Sequence, residues 1–299
     1  MHILVTGASS FVGSHIAQHF LQIGHDVTAT YRTRNTAVGK LLAGFSGPSL
    51  QMVELDLSSA SSYTALPTTA EVVVHVAGVS PRGGVSTAEL LSCNVQGMHN
   101  LIRHALDTNA RKFIFTSTLS IHGSVRGSIL DENTPVINPD IYGASKYLAE
   151  RMLAAVSEQI PSVAVRLPGV LGAGAHRAWL PVLLDKMSSN RDVTIYNPDA
   201  AFNNAAHVSD LGIFLADLMR QDWKGFLSFP VGASGKTSIS KVVHSVRAGL
   251  GSKSKIVIDP TVKPGFIISS DRAVALGYRP MDINAMIERY VLEYKSSEA

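Results

Sequence analysis

Short, continuously apolar segments alternate with amphipathic helical segments through the first 166 residues of the chain. A strand that is buried on both faces of a parallel sheet is apolar at nearly every position, as at Val72, Val73 and Val74. Strands that alternate with helices of this length predict an α/β fold, a doubly wound parallel sheet with helices on both faces. The predicted strands are residues 2–6, 26–31, 51–55, 71–76, 112–116 and 162–166, and the predicted helices are residues 11–23, 87–109 and 142–159.

The composition predicts a globular protein with a well-filled core. Hydrophobic residues make up 45% and charged residues 16% of the 299 residues, which excludes a disordered chain. A net charge of +3, spread along the chain, indicates neither a nucleic-acid-binding nor a membrane-binding surface. The single cysteine, Cys93, excludes an internal disulfide, and the histidines form no pattern that predicts a metal site. With no signal peptide and no bilayer-spanning apolar run, we expect a cytoplasmic enzyme.

The turn between the first predicted strand and the first predicted helix reads TGASSFVG, from Thr6 to Gly13. Gly7 permits a tight turn, and Gly13 permits close packing of the helix on the sheet. The helix N-terminus behind this turn offers unpaired N–H groups and a partial positive charge to an anion. The turn therefore predicts a Rossmann-type domain that binds the pyrophosphate of a dinucleotide. The residues expected at this cofactor are Gly7, Ser9, Ser10, Phe11, Val12 and Gly13.

The end of the second predicted strand indicates which dinucleotide binds. NAD-binding domains place a carboxylate there to bind the ribose hydroxyls, whereas this chain has Tyr31, Arg32 and then Arg34. A guanidinium group forms bidentate, charge-assisted hydrogen bonds to a phosphate. We therefore predict NADP as the cofactor, with Arg32 at its 2′-phosphate, and keep NAD as the alternative.

A tyrosine and a lysine four residues apart, Tyr142 and Lys146, lie on one face of a predicted helix. A free phenol has a pKa of about 10, and a fixed cation nearby lowers that pKa toward neutrality. Hydroxyl side chains at Ser117 and Thr118 follow the strand before this helix, and the carboxyl end of a parallel strand borders the ligand crevice. Together these side chains predict a site for proton transfer beside a nicotinamide.

These motifs resemble those of the extended short-chain dehydrogenase/reductase family, which contains NAD(P)-dependent epimerases, dehydratases and nucleotide-sugar reductases. Further segments that resemble the family are residues 166–172, 207–211 and 276–280. The resemblance implies that Thr118 polarises a substrate carbonyl, that Tyr142 donates the proton, and that Lys146 tunes Tyr142 and binds the nicotinamide ribose. It also implies cofactor contacts at Asp56, Leu57, His75, Ala77, Gly78 and Pro168.

The sequence departs from the family pattern at one position of the glycine turn. Ser10 stands where the family usually has a glycine, so its side chain either crowds the pyrophosphate or donates a hydrogen bond to it. A second departure concerns the substrate: Asn203 and Asn204 stand where many relatives that bind sugar nucleotides have an arginine. The residues expected to contact the substrate are Ser80, Thr118, Arg177, Asn203 and Lys263.

The resemblance implies a reaction and leaves alternatives to it open. The main expectation is that NADPH reduces the keto group of a nucleotide-linked 4-keto sugar. One alternative is a nucleotide-sugar 4-epimerase with tightly bound NAD. The other is an NADPH-dependent reductase of a small aldehyde or ketone that lacks the diphosphate.

The regular alternation of strands and helices ends at about residue 166, after which glycines and prolines separate shorter elements. We expect residues 1–165 to form the dinucleotide-binding domain. Residues 166–299 then form a smaller lobe that binds the substrate and packs partly on the sheet. Relatives commonly dimerise through two helices per subunit, so the resemblance implies a homodimer formed through residues 87–109 and 142–159.

Overall fold

A computed structural model describes residues 1–45, 47–81, 84–263 and 265–298 of the chain. The chain divides into two compact units, each assembled from separate segments. Unit 1 consists of Met1–Ser124, Val136–Arg166 and Gly212–Phe229. Unit 2 consists of Val125–Pro135, Leu167–Leu211 and the chain from Pro230 to the C-terminus.

The strands alternate with helices through unit 1 and are shorter in unit 2. The strands are β1 (His2–Thr6), β2 (Asp26–Tyr31), β3 (Leu50–Glu54), β4 (Val72–His75), β5 (Lys112–Thr118), β6 (Ile129–Leu130), β7 (Ser162–Leu167), β8 (Gly169–Leu171), β9 (Val193–Ile195), β10 (Ala201–Phe202), β11 (Ala205–His207), β12 (Phe226–Pro230), β13 (Thr237–Ser238), β14 (Ile256–Ile258) and β15 (Ile267–Ile268). The helices are α1 (Phe11–Gln22), α2 (Thr36–Gly44), α3 (Thr87–Leu91), α4 (Gly97–Asp107), α5 (Ile141–Val156), α6 (Trp179–Ser188), α7 (Val208–Arg220), α8 (Ile239–Leu250), α9 (Asp271–Ala275) and α10 (Ile283–Glu298).

The central sheet confirms the predicted doubly wound fold. Within the described residues it has seven strands in the order β12-β7-β5-β4-β1-β2-β3. The pairings from β3 through β2, β1 and β4 to β5 are all parallel. The direction of winding reverses between β1 and β4, and ligands of such sheets bind outside the carboxyl ends of the strands at this reversal. The glycine turn after β1 and the segment after β4 both lie at this point.

The predicted helix over residues 87–109 is interrupted in the structure. It consists of α3, a π-helical turn over Ser92–Gln96, and α4. A π turn widens the helix by one residue and is often found at functional sites. Periodicity alone did not predict this turn because the apolar residues on either side still lie on one face.

The boundary between the units differs from the single boundary expected at residue 166. Ile129 and Leu130 in β6 pair with Ile267 and Ile268 in β15, so residues 125–135 belong to unit 2. Strand β12 lies next to β7 at the edge of the central sheet, so residues 212–229 belong to unit 1. The expectation that the second lobe packs partly on the sheet covers β12, whereas strands of two residues, such as β6 and β15, carry no readable periodicity, so the sequence did not predict that residues 125–135 belong to unit 2.

Each unit has its own apolar core. In unit 1 the core contains Met98, Leu101 and Phe113, all fully buried. In unit 2 it contains Leu184, Val242 and Met286. Burying a side chain of this size contributes about 1.5–3 kcal/mol to stability, so each unit has an independent source of folding free energy. None of the helices in the described part of the chain combines the length and the apolar character that a bilayer crossing requires.

Candidate active site

The glycine turn after β1 requires glycine at two positions. Gly7 has a φ of +77°, and a Cβ there would lie 2.8 Å from the backbone N and Cα of Ala77. A Cβ on Gly13 would overlap the carbonyl oxygen of Gly7. The turn therefore holds the start of α1 against the ends of β1 and β4, and a helix N-terminus placed in this way attracts an anion.

Ser10 is the N-cap residue of α1. Its hydroxyl oxygen accepts a hydrogen bond from the backbone N–H of Gly13, over 3.0 Å. The acceptor side of the hydroxyl is thus used within the turn, while its proton can still be donated to a phosphate. The sequence left open whether Ser10 crowds the pyrophosphate or donates a hydrogen bond to it. The geometry favours the hydrogen bond. Phe11 and Val12 form the first turn of α1 beside it.

The residues after β2 form two separate polar contacts. Arg32, with a side chain 60% exposed, forms an ion pair with Glu89 on α3 over 3.3 Å. The Nε of Arg34 donates to the hydroxyl of Tyr31 over 3.3 Å. Asn35 caps α2 and also donates to the carbonyl of Ser9 over 2.7 Å, which ties this segment to the glycine turn. Glu89 and Asn35 were not predicted, because their partners lie 57 and 26 positions away in the sequence.

His75 ends β4 as a buried, neutral side chain. Its Nδ1 hydrogen-bonds the hydroxyl of Thr6 on β1 over 2.7 Å, and its ring stacks on Phe115 with centroids 5.4 Å apart. Burial, followed by the nearby charge of Lys146, lowers the pKa of His75 to about 3. His75 therefore links the strands on either side of the winding reversal without carrying charge at neutral pH. Ala77 and Gly78 follow it.

The pair expected at the adenine follows β3 and consists of one exposed and one buried side chain. Asp56 accepts hydrogen bonds from the backbone N–H and the hydroxyl of Ser58, over 2.9 and 2.7 Å, through the same oxygen. Leu57 is buried, and its carbonyl accepts from Asn100 over 2.9 Å. A Cβ on Gly97 would lie 2.8 Å from the Cβ of Leu57, so glycine allows α4 to begin there.

Tyr142, Thr118 and Lys146 come together at the start of α5. Asp140 caps this helix, since its Oδ1 accepts from the backbone N–H of Gly143 over 2.7 Å. A side chain on Gly143 would overlap the carbonyl of Ser120, so the first turn of α5 packs directly against the helical turn that follows β5. This contact brings the Tyr142 phenol into hydrogen-bonding range of the Thr118 hydroxyl.

The electrostatics of Tyr142 differ from the sequence prediction. Burial raises the pKa of Tyr142 above its ordinary value, and the hydrogen bond with Thr118 lowers that pKa in part. The charge of Lys146 is not among the causes of this shift, whereas the sequence predicted that it would make the phenol more acidic. The reason is that folding removes the phenol from water, and removal from water disfavours its charged form.

Lys146 is itself buried, with 4% of its surface exposed. Its Nζ lies 4.0 Å from the centre of the Phe115 ring, and a Cβ on Gly78 would lie 3.6 Å from it. Burial lowers the pKa of Lys146 to about 7, while Cys93 and Glu150 act to raise it. A lysine with this pKa gains and loses its proton near neutral pH.

Asn94, in the π turn, connects the segment after β4 to α5. Its Oδ1 accepts from the backbone N–H of Val79 over 2.8 Å, and its Nδ2 donates to the carbonyl of Val79 over 2.9 Å. The same Nδ2 donates to the hydroxyl of Ser145 over 3.1 Å. The amide thereby fixes the path of the chain at Gly78, next to Lys146.

The other residues that were expected to contact the cofactor or the substrate are divided between the two units. In unit 1, Ser80 is half-buried in the segment after β4. In unit 2, Pro168 is half-buried between β7 and β8, and Arg177 is exposed before α6, where its Nε donates to His176 over 3.2 Å. Lys263 places its Nζ 3.2 Å from the centre of the Tyr196 ring.

Asn203 in unit 2 is buried and bonded to backbone groups. Its Nδ2 donates to the carbonyls of Ala233 and Ile268, over 3.2 and 2.8 Å, and its Oδ1 accepts from the N–H of Ile268 over 2.8 Å. Both amide hydrogens are therefore used to hold β15 and the segment after β12. What remains for a ligand is acceptor capacity on one oxygen.

Unit 1 thus has the features that a dinucleotide and a proton-transfer reaction require. The backbone of the glycine turn lies close enough to its neighbours to exclude a Cβ, and α1 presents amides to a pyrophosphate. A protonated phenol, a hydroxyl and a lysine follow β5 at the same edge of the sheet. This arrangement can donate a proton to an oxygen.

Comparison with known proteins agrees with this chemistry. The model of the NAD dependent epimerase/dehydratase family matches residues 3–222. The chain is 24% identical to a UDP-glucose 4-epimerase of Streptomyces lividans, over 98% of this chain and 96% of that protein. It is 23% identical to a dTDP-4-dehydro-6-deoxy-D-allose reductase of a Streptomyces species, over 96% of this chain and 89% of that protein.

A solved structure shows the same fold over the full length of the chain. It is a UDP-glucuronic acid 4-epimerase from Bacillus cereus in complex with NAD, with a TM-score of 0.84, 19% identity and 100% coverage of both chains. The extent of the family match and the glycine, tyrosine and lysine motifs lead to one conclusion. The chain is an enzyme of the NAD dependent epimerase/dehydratase family, among the extended short-chain dehydrogenases/reductases.

Proposed function

We propose that this protein is an NADP-dependent reductase that acts on the keto group of a nucleotide-linked 4-keto sugar. The observation that carries the proposal is the grouping of Tyr142, Thr118 and Lys146 at the carboxyl end of β5. NADPH, when bound, supplies the hydride. Similarity to a sugar reductase over nearly the whole chain supports net reduction as the reaction.

In this proposal Thr118 and Tyr142 act on one oxygen of the substrate, and Lys146 acts on Tyr142 and the cofactor. The Thr118 hydroxyl donates a hydrogen bond to the keto oxygen, and Tyr142 transfers its phenolic proton to that oxygen as the carbon becomes reduced. Because burial raises the pKa of Tyr142, the phenol is protonated at neutral pH, as a proton donor must be. The Lys146 ammonium stabilises the phenolate that remains and binds the ribose hydroxyls of the cofactor.

The segment after β2 supports NADP over NAD. The β2 strand ends in Tyr31, so no carboxylate follows where NAD-binding domains hold the ribose hydroxyls. Arg32 is largely exposed, and its ion pair with Glu89 is of the surface kind that contributes about 0–1 kcal/mol. A 2′-phosphate can therefore replace Glu89 as the partner of Arg32 at little cost, and it accepts stronger bonds.

A 4-epimerase with tightly bound NAD is the second candidate. It is favoured by the 4-epimerases among the similar proteins, and it would use the same phenol to take and return one proton. The two functions differ in stoichiometry: an epimerase regenerates its cofactor in each turnover, whereas a reductase consumes one NADPH.

A reductase of a small aldehyde or ketone is the third candidate, and Asn203 favours it. Both of its amide hydrogens hold backbone carbonyls, so Asn203 contributes neither charge nor a free donor to a diphosphate. Under the main proposal, the cations for the diphosphate in unit 2 are Arg177 and Lys263. Unit 2 is proposed as the substrate lobe on this basis.

We further propose a homodimer in the cytoplasm. Exposed apolar side chains lie on α3 at Leu91 and on α5 at Ile141 and Leu148, with exposures of 39%, 46% and 47%. Apolar residues on neighbouring helix faces are typical of subunit contacts. The free thiol of Cys93 is suited to a reducing compartment, where NADPH is also kept reduced.

The deciding experiment follows NADPH absorbance with three classes of substrate. The substrates are a dTDP-linked 4-keto-6-deoxyhexose, a UDP-hexose, and simple aldehydes and ketones. We expect one equivalent of NADPH to be consumed with the 4-keto sugar nucleotide and slower turnover with the simple carbonyls. Interconversion of the UDP-hexose without added cofactor would instead establish the epimerase. Faster turnover of the simple carbonyls would establish the third candidate.

A further inference from the structure

Helix α5 presents three ionisable side chains at intervals of one turn: Tyr142, Lys146 and Glu150. Tyr142 and Lys146 belong to the proposed reaction, whereas Glu150 has no part in it. Glu150 is nevertheless the most deeply buried of the three, with 1% of its surface exposed. Burying a carboxylate costs several kcal/mol unless a partner compensates the charge.

The partner of Glu150 is Arg166 on β7, which is also buried. The guanidinium binds both carboxylate oxygens: Nε donates to Oε1 over 3.2 Å and Nη2 donates to Oε2 over 2.9 Å. Nη2 also donates to the hydroxyl of Ser228 over 3.0 Å. This bidentate geometry, fixed by a third contact, holds the carboxylate in one orientation.

The Lys146 ammonium lies over the ring of Phe115. Glu150 is one turn from Lys146 on the same buried face, within reach of an ion pair along the helix. Arg166 occupies both carboxylate oxygens. The Nζ of Lys146 lies over the Phe115 ring, 3.6 Å from the position that a Cβ on Gly78 would take.

Among the described residues, few charges act on Lys146. The titratable groups that interact electrostatically with it are Glu150 on α5, Cys93 on the π turn and His75 on β4, and Tyr142 lies one turn before it on α5. Burial raises the pKa of Cys93 and lowers the pKa of His75, so both are neutral near pH 7. The phenol of Tyr142 is neutral as well. Glu150 is therefore the only negative charge among these groups.

We propose that Glu150 and Arg166 are a pair of positioning residues for Lys146. Arg166 keeps the carboxylate from drawing the ammonium away from Tyr142, and Glu150 offsets the positive charge that Arg166 would otherwise present to that ammonium. This inference rests on the proposed function, in which the charge of Lys146 stabilises the phenolate of Tyr142. If the pair served only to stabilise the fold, its two charges would need only to compensate each other.

The inference is tested by titrating Lys146 itself in the full-length protein. The 13Cε resonance of 13C-lysine reports protonation, and the resonance that is lost in Lys146→Met belongs to Lys146. The variants are Glu150→Gln, Arg166→Gln and the double variant with both changes. Glu71→Gln is the matched control, since Glu71 pairs with Arg111 at the surface and not with the site.

The two single variants are expected to shift the titration in opposite directions. Glu150→Gln leaves Arg166 uncompensated, so the pKa of Lys146 falls from its value of about 7. Arg166→Gln leaves the carboxylate for Lys146 to pair with, so the same pKa rises. We expect each shift to be about one unit, a tenfold change in the proton-binding constant. Glu71→Gln is expected to titrate like the unaltered protein.

The double variant keeps the test decidable if a single variant fails to fold, because it leaves no uncompensated buried charge. We expect its Lys146 pKa to fall by less than in Glu150→Gln, since the negative charge of Glu150 is lost together with the positive charge of Arg166. A fall of about one unit or more in the double variant, or shifts of the same sign in both single variants, would overturn the inference.

Failure of this inference is distinguishable from failure of the proposed function. If Tyr142→Phe abolishes turnover while the Lys146 titration is the same in all charge variants, only the positioning role of Glu150 and Arg166 is wrong. If Tyr142→Phe keeps turnover, the proposed catalytic role fails whatever the titrations show.

Discussion

The polar side chains of unit 1 and those of unit 2 differ in how much bonding capacity they retain for a ligand. At the sheet edge of unit 1, the first turn of α1 can present backbone N–H groups to an anion, and the Nζ of Lys146 lies over the Phe115 ring near Gly78. In unit 2, Asn203 gives both amide hydrogens to backbone carbonyls. Polar residues of similar sequence prominence are thus proposed to perform chemistry in unit 1, whereas Asn203 in unit 2 holds the fold.

The difference has a physical basis in how each site is built. The unit 1 site lies at strand ends, where parallel strands leave backbone groups and side chains at a common edge. The unit 2 elements are short strands, such as β10, β13 and β15, which have few ladder hydrogen bonds of their own. Side-chain amides such as Asn203 therefore complete the pairing of unit 2.

The largest expected effect is on turnover and comes from removing the phenolic oxygen of Tyr142 in unit 1. Tyr142→Phe removes the proton donor, and we expect the turnover number to fall by about 10²–10⁴-fold. The melting temperature should change little, because the ring is kept. Turnover and thermal unfolding of the same preparation check both parts. Unaltered turnover would mean that the proton comes from elsewhere.

The next effect is expected in unit 2 and concerns stability. Asn203→Ala leaves the N–H of Ile268 and two carbonyls without partners, which should cost about 2–4 kcal/mol and lower the melting temperature by roughly 5–10 °C. The matched control is Asn204→Ala. The buried Oδ1 of Asn204 has no hydrogen-bond partner among the described residues, so its loss should be nearly neutral. Equal losses in both variants would contradict the structural role of Asn203.

A smaller effect on binding is expected at the end of β2. Arg32→Ala should weaken NADPH binding by at least about tenfold and leave NADH binding nearly unchanged, because the loss of a charge-assisted contact costs about 1.5–3 kcal/mol. Fluorescence titration with each cofactor measures this. Arg34→Ala is the matched control, since Arg34 is bonded to Tyr31. An equal loss of affinity for NADH and NADPH would argue against a 2′-phosphate contact.

A pH dependence of stability is expected from Lys146. Its pKa of about 7 in the folded protein lies below the unfolded value of about 10.4. Between these values the unfolded chain binds more protons, so the free energy of unfolding rises with pH through this window. Urea unfolding at several pH values should show this rise, and Lys146→Met should reduce it. The same slope in both proteins would contradict the burial of Lys146.

Local sequence patterns predicted the central sheet closely. Strand β2 has the predicted bounds, and β1, β5 and β7 begin where expected, because strands buried on both faces are apolar throughout. The same patterns missed α2, the π turn at Asn94 and the short strands of unit 2. The ion pairs of Arg32 with Glu89 and of Glu150 with Arg166 were missed because no local rule connects residues that are far apart in sequence.

The amino-acid sequence by itself determined the parallel sheet, the glycine turn and the tyrosine–lysine pair. These features follow from backbone sterics and from periodicities of two and four residues. Only the tertiary structure decided the charge states at the site. Folding removes Tyr142, Lys146 and His75 from water, and this desolvation shifts their pKa values in directions that the neighbouring sequence does not reveal. Which polar side chains remain available to a ligand was likewise decided by packing, since each buried donor must first satisfy the backbone around it.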